Sequence, residues 1–231
     1  MLRIFMEAMP HISDVWTGPV AVIAAITMIL GNVVALMQPN IKRMLAYSSI
    51  AHAGYIMMAV AAGVGSEDGV SSALFYMLAY LFTNLGAFAI VIALEQKDGK
   101  GTMLDDYKGL AKQSPMLALV MAYFMLSLAG VPPTGGFSAK FFVFRAALEA
   151  DLLWLALIGV VTSVVSGYFY LRVVYLMFMF EGNGRIAPAK PLLAAIVLTA
   201  IATLILGFFP GNYFDMARDA VLQGAQLLAG G

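Results

Sequence analysis

The chain has 231 residues, 62% hydrophobic and only 11% charged, with a mean hydropathy of +0.90. A soluble domain is about 45–50% apolar and about 25% charged, so globular, disordered, collagenous and disulfide-scaffold classes are excluded. Thirteen Lys and Arg balance thirteen Asp and Glu, so no net charge favours nucleic acid. The absence of Cys removes disulfides, thiolate metal sites and Cys nucleophiles. His11 and His52 are too few for a bis-histidine haem or a His-rich metal centre.

A helix needs about 20 mostly apolar residues to cross a hydrocarbon core of roughly 30 Å. Segments between charged side chains predict an all-α polytopic membrane bundle with six crossings in a single transmembrane domain. They fall at residues 19–38, 44–64, 70–94, 114–150, 152–180 and 191–209. Met1 to Met9 resembles the tail of a preceding span, since a signal peptide requires a longer apolar run before its cleavage site. Residues 213–228 mix Asp215, Arg218 and Asp219 with Ala, Val and Leu, which predicts a short interfacial helix at the C-terminal end.

The fourth segment is unusual. Pro132 and Pro133 lack the N–H that a helix interior requires, and Gly135 and Gly136 add backbone freedom beside them. A loop between two spans is the alternative, but the stretch from Phe137 to Glu149 is too short to cross and contains Lys140 and Arg145. The segment is therefore expected to be one crossing made of two half-helices, unwound over residues 131–137. Such interruptions are tolerated where they are buried in protein or line a wet cavity, and they mark transport sites.

Six crossings place Lys42, Arg43, Lys97, Lys100, Lys108, Lys112, Arg185 and Lys190 on one side and only Arg3 and Arg218 on the other. The positive-inside rule then makes the basic side cytoplasmic and turns both termini outward. Counting the broken segment twice would move Arg185 and Lys190 across and spoil the asymmetry.

Ionisable groups inside spans are expensive and functional by default. Lys140 is the sharpest candidate, near mid-membrane at the opening of the second half-helix. Desolvation and the positive end of that half-helix both disfavour a fixed ammonium, and a lysine that loses and regains its proton can relay protons where an arginine cannot. A structural lysine bonded to loose carbonyls of the break is the competing reading. Arg172 is expected to snorkel or pair with neighbouring carbonyls, and Arg145 to pair with Glu149 at i+4. His52 follows the polar Ser48 and Ser49, and the sequence leaves it open between proton transfer and packing. Tyr76, Tyr80 and Asn84 share one face of the third span; Thr162, Ser163, Ser166, Tyr168 and Tyr170 dot the fifth. Hydroxyls of this kind can hold water chains, though each is more readily explained as helix packing. Gly31 and Ala35 form a weak small-xxx-small pair. With no Walker A loop, G-x-G-x-x-G or metal-ligand cluster, no cofactor is expected in the chain itself.

Three stretches resemble the antiporter-like membrane subunits of respiratory complex I, the NADH-quinone oxidoreductase of bacteria. The first is Asn40-Ile41-Lys42-Arg43-Met44-Leu45-Ala46-Tyr47-Ser48-Ser49-Ile50-Ala51-His52-Ala53-Gly54-Tyr55. The second runs Ser127-Leu128-Ala129-Gly130-Val131-Pro132-Pro133, then Gly136-Phe137-Ser138-Ala139-Lys140-Phe141. The third is Tyr168-Phe169-Tyr170-Leu171-Arg172. Tyr76 and Tyr80 stand near positions where other branches of the group tend to carry histidines, which narrows the branch. The resemblance covers nearly the whole chain.

Members of that group carry two inverted helix repeats, each with a broken helix and a buried lysine, so the chain resembles the C-terminal part of a full-length subunit. The resemblance implies a proton-translocating subunit in the bacterial inner membrane, packed against other membrane-arm subunits of the complex. NADH, flavin, iron–sulfur clusters and quinone would be held by partner subunits. It also implies that Lys140 is the proton carrier, with His52, Tyr80 and Tyr168 as neighbours on the proton path. The group's upstream glutamate and lysines are absent from the chain. Two other readings remain open: a subunit of a stand-alone cation/proton antiporter, which shares these motifs, and an inert truncated fragment.

Overall fold

The computed structural model describes residues 12–95, 101–181 and 190–229. Arg3, His11, Lys97, Lys100, Arg185 and the opening segment Met1 to Met9 lie outside them. The described residues are helices joined by short links: α1 (Ser13–Leu36), α2 (Ile41–Ala62), α3 (Gly69–Leu94), a 3-10 turn (Leu104–Tyr107), α4 (Leu110–Gln113), α5 (Pro115–Ala129), α6 (Gly135–Glu149), α7 (Leu153–Met179), α8 (Lys190–Phe208) and α9 (Pro210–Ala229). By length and composition α1, α2, α3 and α7 can each cross a membrane, and α8 with α9, bent by 90°, makes a fifth candidate. The protein is thus an all-α, multi-pass membrane bundle. Helix α1 starts six residues ahead of the expected span and runs through Pro19, which it contains as an interior residue. A Cβ on the neighbouring Gly18 would meet nothing within 4 Å.

Helix α2 occupies the middle of the bundle. It is the least apolar of the four long spans and the most buried, which is why it can carry Ser48, His52 and Tyr55 on an inward face. Asn40 caps it, accepting from the Arg43 N–H at 3.2 Å, while Lys42 pairs with Glu95 at the end of α3. On its other side α1 comes so near that a Cβ on Gly31 would lie 2.6 Å from the Ala51 backbone nitrogen. The small-residue pair on α1 does allow close contact, as expected.

Helix α5 ends at Ala129 and α6 begins at Gly135, so the interruption is shorter than the 131–137 expected. Gly130 caps α5 with φ +87, and its N–H returns to the Leu126 and Ser127 carbonyls at 3.0 Å. Thr134 caps α6, accepting from the Phe137 N–H at 3.3 Å and donating to the Val131 carbonyl at 2.7 Å. Gly135 and Gly136 are helical. Their role is close approach: a Cβ on Gly136 would lie 1.8 Å from the Ser127 carbonyl oxygen. Gly130 ends α5, and Pro132 and Pro133 just beyond it prevent the helix from resuming.

At the end opposite the basic residues, ion pairs join three elements. Arg145 bonds Glu149 at 2.7 Å, as the i+4 spacing predicts, and approaches Asp68 at 3.7 Å. Arg218 on α9 reaches Glu67 at 3.6 Å and Asp68 at 3.5 Å, and Ser66 donates to Glu149 at 2.7 Å. Phe214 of α9 packs on Phe142 with ring centres 4.2 Å apart. Helix α9 is therefore tied to the α2–α3 turn and to the far end of α6.

Candidate functional site

Lys140 is the sixth residue of α6 and is 5% exposed. Its stem crosses the interruption, with Cδ 2.9 Å from where a Cβ on Gly130 would be, so Gly130 leaves the room the lysine needs. Nζ donates to the Leu128 carbonyl at 3.1 Å, the Ala129 carbonyl at 2.9 Å and the Ser163 hydroxyl at 2.8 Å. It also sits 5.4 Å from the Tyr55 ring centre. An α-helix leaves its last carbonyls without intrahelical donors, and here an ammonium supplies them.

One expectation changes. Lys140 lies beyond the first turn of α6 and its nitrogen reaches back to the C-terminal end of α5, so negative carbonyl ends surround the charge instead of the positive end of α6. Among the described residues no carboxylate lies within ion-pair distance of Lys140. Among the described residues, neutral dipoles and the Tyr55 ring surround its charge.

His52 is 5% exposed and bonded through both ring nitrogens: Nδ1 to the Tyr76 hydroxyl at 2.7 Å and Nε2 to the Tyr170 hydroxyl at 3.1 Å. Its ring stacks on Tyr80 at 4.6 Å. Tyr170 also bonds Ser48, and Tyr80 donates to Ser49 at 2.6 Å. Tyr55 joins the two centres: its ring faces both Lys140 and His52, and its hydroxyl bonds Thr162 at 3.0 Å. Between His52, Tyr80, Thr83, Ser127 and Gly136 lies a cavity of about 10 Å³, near the size that admits one water. Thr83 faces the Ser127 hydroxyl at 3.4 Å, and Ser127 accepts from the Gly136 N–H at 3.2 Å. Polar groups therefore run from Ser48 and Ser49 through His52 to the interruption.

The structure brings Lys140, His52, Tyr76 and Tyr80 together, and leaves Tyr168 out. Tyr168 is 63% exposed on the outer face of α7, since positions two apart on a helix point about 200° apart. Tyr170 takes the place expected of it. The signal was present in Thr162, Ser166 and Tyr170, spaced i, i+4, i+8, and in Ser48, His52 and Tyr55, spaced i, i+4, i+7. Asn84 is half-buried outside the cluster, and Arg172 is exposed.

Tyr170→Phe removes the partner of both Ser48 and His52 Nε2 in a buried place. The expected cost is about 1–3 kcal/mol, read as a lowered thermal unfolding midpoint of the purified full-length protein. Tyr168→Phe, at an exposed position, is expected to leave that midpoint nearly unchanged.

Fold and site together define a multi-pass helical membrane protein with a buried lysine where two helices meet. The chain belongs to the NADH:quinone oxidoreductase/Mrp antiporter transmembrane family, whose model matches residues 1–166. It is 47% identical over 227 residues to NADH-quinone oxidoreductase subunit N of Chloroflexus aggregans, covering 97% of this chain and 46% of that protein. A chain of the solved respiratory complex I from Thermus thermophilus with bound aureothin matches at 34% identity and TM-score 0.74, covering 86% of this chain and 45% of that one. A chain of the Mrp complex from Dietzia shares the fold at 22% identity and TM-score 0.80, covering 89% of this chain and 47% of that one. The chain spans about half the length of the relatives it matches.

Proposed function

We propose that the chain is the C-terminal part of subunit N of a bacterial NADH-quinone oxidoreductase and carries protons across the inner membrane. The observation that carries this reading is Lys140, buried, without a carboxylate partner among the described residues, and bonded to the carbonyls that end α5. Two helices of 15 residues, about 22 Å each, span the membrane together as the fourth of six crossings and expose backbone acceptors at its centre. The basic end, with Lys42, Arg43, Lys108 and Lys112, faces the cytoplasm, both termini face outward, and α9 lies in the outer interface.

In the ammonium form Nζ fills three acceptors. Loss of one proton leaves two hydrogens, which can stay on the Leu128 and Ala129 carbonyls, and a lone pair that accepts once the Ser163 hydroxyl turns to donate. The altered hydration at the interruption is the stroke that passes a proton onward, with His52, Tyr76, Tyr80 and Tyr170 guiding it. Quinone reduction in partner subunits, which hold the NADH, flavin, iron–sulfur and quinone sites, drives the change through the neighbouring membrane-arm subunits.

The likeness of fold to the Mrp chain favours a second reading, a cation/proton antiporter subunit. The full-length protein, tagged in its native host and purified in mild detergent, decides. Co-purifying NADH-quinone reductase activity that acidifies vesicles supports the first reading. A preparation without dehydrogenase, whose vesicles lose ΔpH on adding Na⁺ or K⁺, overturns it for the antiporter. Neither behaviour would leave an inert fragment.

A further inference from the structure

The outer face of α7 carries a stripe with no role in the lysine site. Leu157, Val161 and Val164 are 57%, 63% and 73% exposed, and Tyr168, Leu171 and Tyr175 continue the row at 63%, 49% and 57%. Their spacing alternates four and three residues, which keeps them on one side of the helix. Arg172 stands exposed beside this row, and with Tyr168, Leu171 and Tyr175 it lines a groove of about 260 Å³.

The depth of the arginine follows from arithmetic. Helix α7 has 27 residues, about 40 Å at 1.5 Å per residue, against a hydrocarbon core of roughly 30 Å. Arg172 lies 19 residues beyond Leu153, about 29 Å along, so it meets the far boundary of the hydrocarbon when Leu153 sits at the near one. Tyrosines flank it, as aromatic residues do at membrane interfaces. Trp154, 43% exposed, marks the opposite boundary.

Among the described residues no carboxylate lies within ion-pair distance of Arg172. Asp105, whose carboxyl Lys108 holds below the usual range, receives a smaller contribution from Arg172. The guanidinium is thus a cation presented at headgroup depth above a bare apolar row, and the anions at that depth are lipid phosphates.

We propose that Arg172, Tyr168 and Tyr175 form a site for an anionic phospholipid, its phosphate on the guanidinium and hydroxyls and one acyl chain along Leu171, Val164, Val161 and Leu157. A bidentate guanidinium–phosphate contact gives geometry as well as charge, and basic pockets at this end of membrane helices suit anionic headgroups. The proposal requires only that α7 spans the membrane, whatever the chain translocates.

The test uses the full-length protein in its native complex, reconstituted in phosphatidylcholine vesicles with a minor fraction of phosphatidylglycerol bearing an acyl-chain diazirine. Illumination should label the α7 row, unlabelled phosphatidylglycerol should suppress the label, and added phosphatidylcholine should not. Arg172→Gln should lower labelling about fivefold, and Arg172→Lys should retain most of it. Equal displacement by phosphatidylcholine, or undiminished labelling of Arg172→Gln, overturns the proposal. So does a photoreactive residue placed at position 171 that cross-links to a neighbouring polypeptide instead of lipid. If Arg172→Gln fails to accumulate, the competition on the unaltered protein decides by itself.

Discussion

Lys140→Arg in the full-length protein is expected to assemble and yet lose NADH-driven proton translocation by about a hundredfold or more, the ~10²–10⁴ range that a positioned acid–base group contributes. Arginine keeps the cation and can donate to the Leu128 and Ala129 carbonyls that Lys140 holds at 3.1 and 2.9 Å. It does not release a proton under working conditions. Lys140→Ala should translocate as poorly and be less stable, because it strips the donor from two buried carbonyls and the Ser163 hydroxyl. Proton uptake into reconstituted vesicles, measured per NADH oxidised, separates the two roles. Normal translocation in Lys140→Arg would show that a fixed positive charge is enough and would end the relay reading. Normal translocation in Lys140→Ala would remove the site altogether.

Gly136→Ala should be strongly destabilising. Its Cβ would lie 1.8 Å from the Ser127 carbonyl oxygen and 3.2 Å from the Ser127 hydroxyl, both belonging to the end of α5. Backbone cannot swing aside like a side-chain tip, so α6 must move away from α5 and the Lys140 bonds lengthen. Overpacking typically costs about 1–3 kcal/mol, and a contact this short against main chain belongs at or above the upper end. The control is Gly167→Ala on α7, where a Cβ meets nothing within 4 Å. That change should stabilise by up to about 1 kcal/mol through helix propensity. Thermal midpoints of the two purified variants should move in opposite directions. A Gly136→Ala protein as stable as the parent would mean that α5 and α6 have slack at their junction.

Most of the bundle was legible because membrane crossing is a one-dimensional problem of apolar length. Residues 70–94 against Gly69–Leu94, and 152–180 against Leu153–Met179, differ by no more than a residue at either end. Pro132 and Pro133 announced the interruption for a stereochemical reason that needs no tertiary context. What the linear pattern hid was orientation about each helix axis. Tyr168 and Tyr170 are equivalent as letters, yet one faces outward and the other holds His52 and Ser48. The glycines misled in a related way. Gly135 and Gly136 suggested unwinding, whereas both are helical and face other helices: Gly136 lies against Ser127 of α5, and Gly135 against Leu206 of α8. The field at Lys140 was also inverted by tertiary geometry, because a long side chain sets its charge some distance from its own Cα.

The ionic ties among Arg145, Glu149, Asp68, Glu67 and Arg218 have a mechanical consequence for α6. They moor its far end to two other elements, while its near end bears the lysine and adjoins the non-helical residues 130–134. A rod fixed at one end and hinged at the other responds to a change of charge near the hinge by tilting about its mooring. The arc is therefore wider at Lys140 than at Glu149. Because the mooring pairs are largely solvent-exposed, concentrated salt should loosen that pivot first.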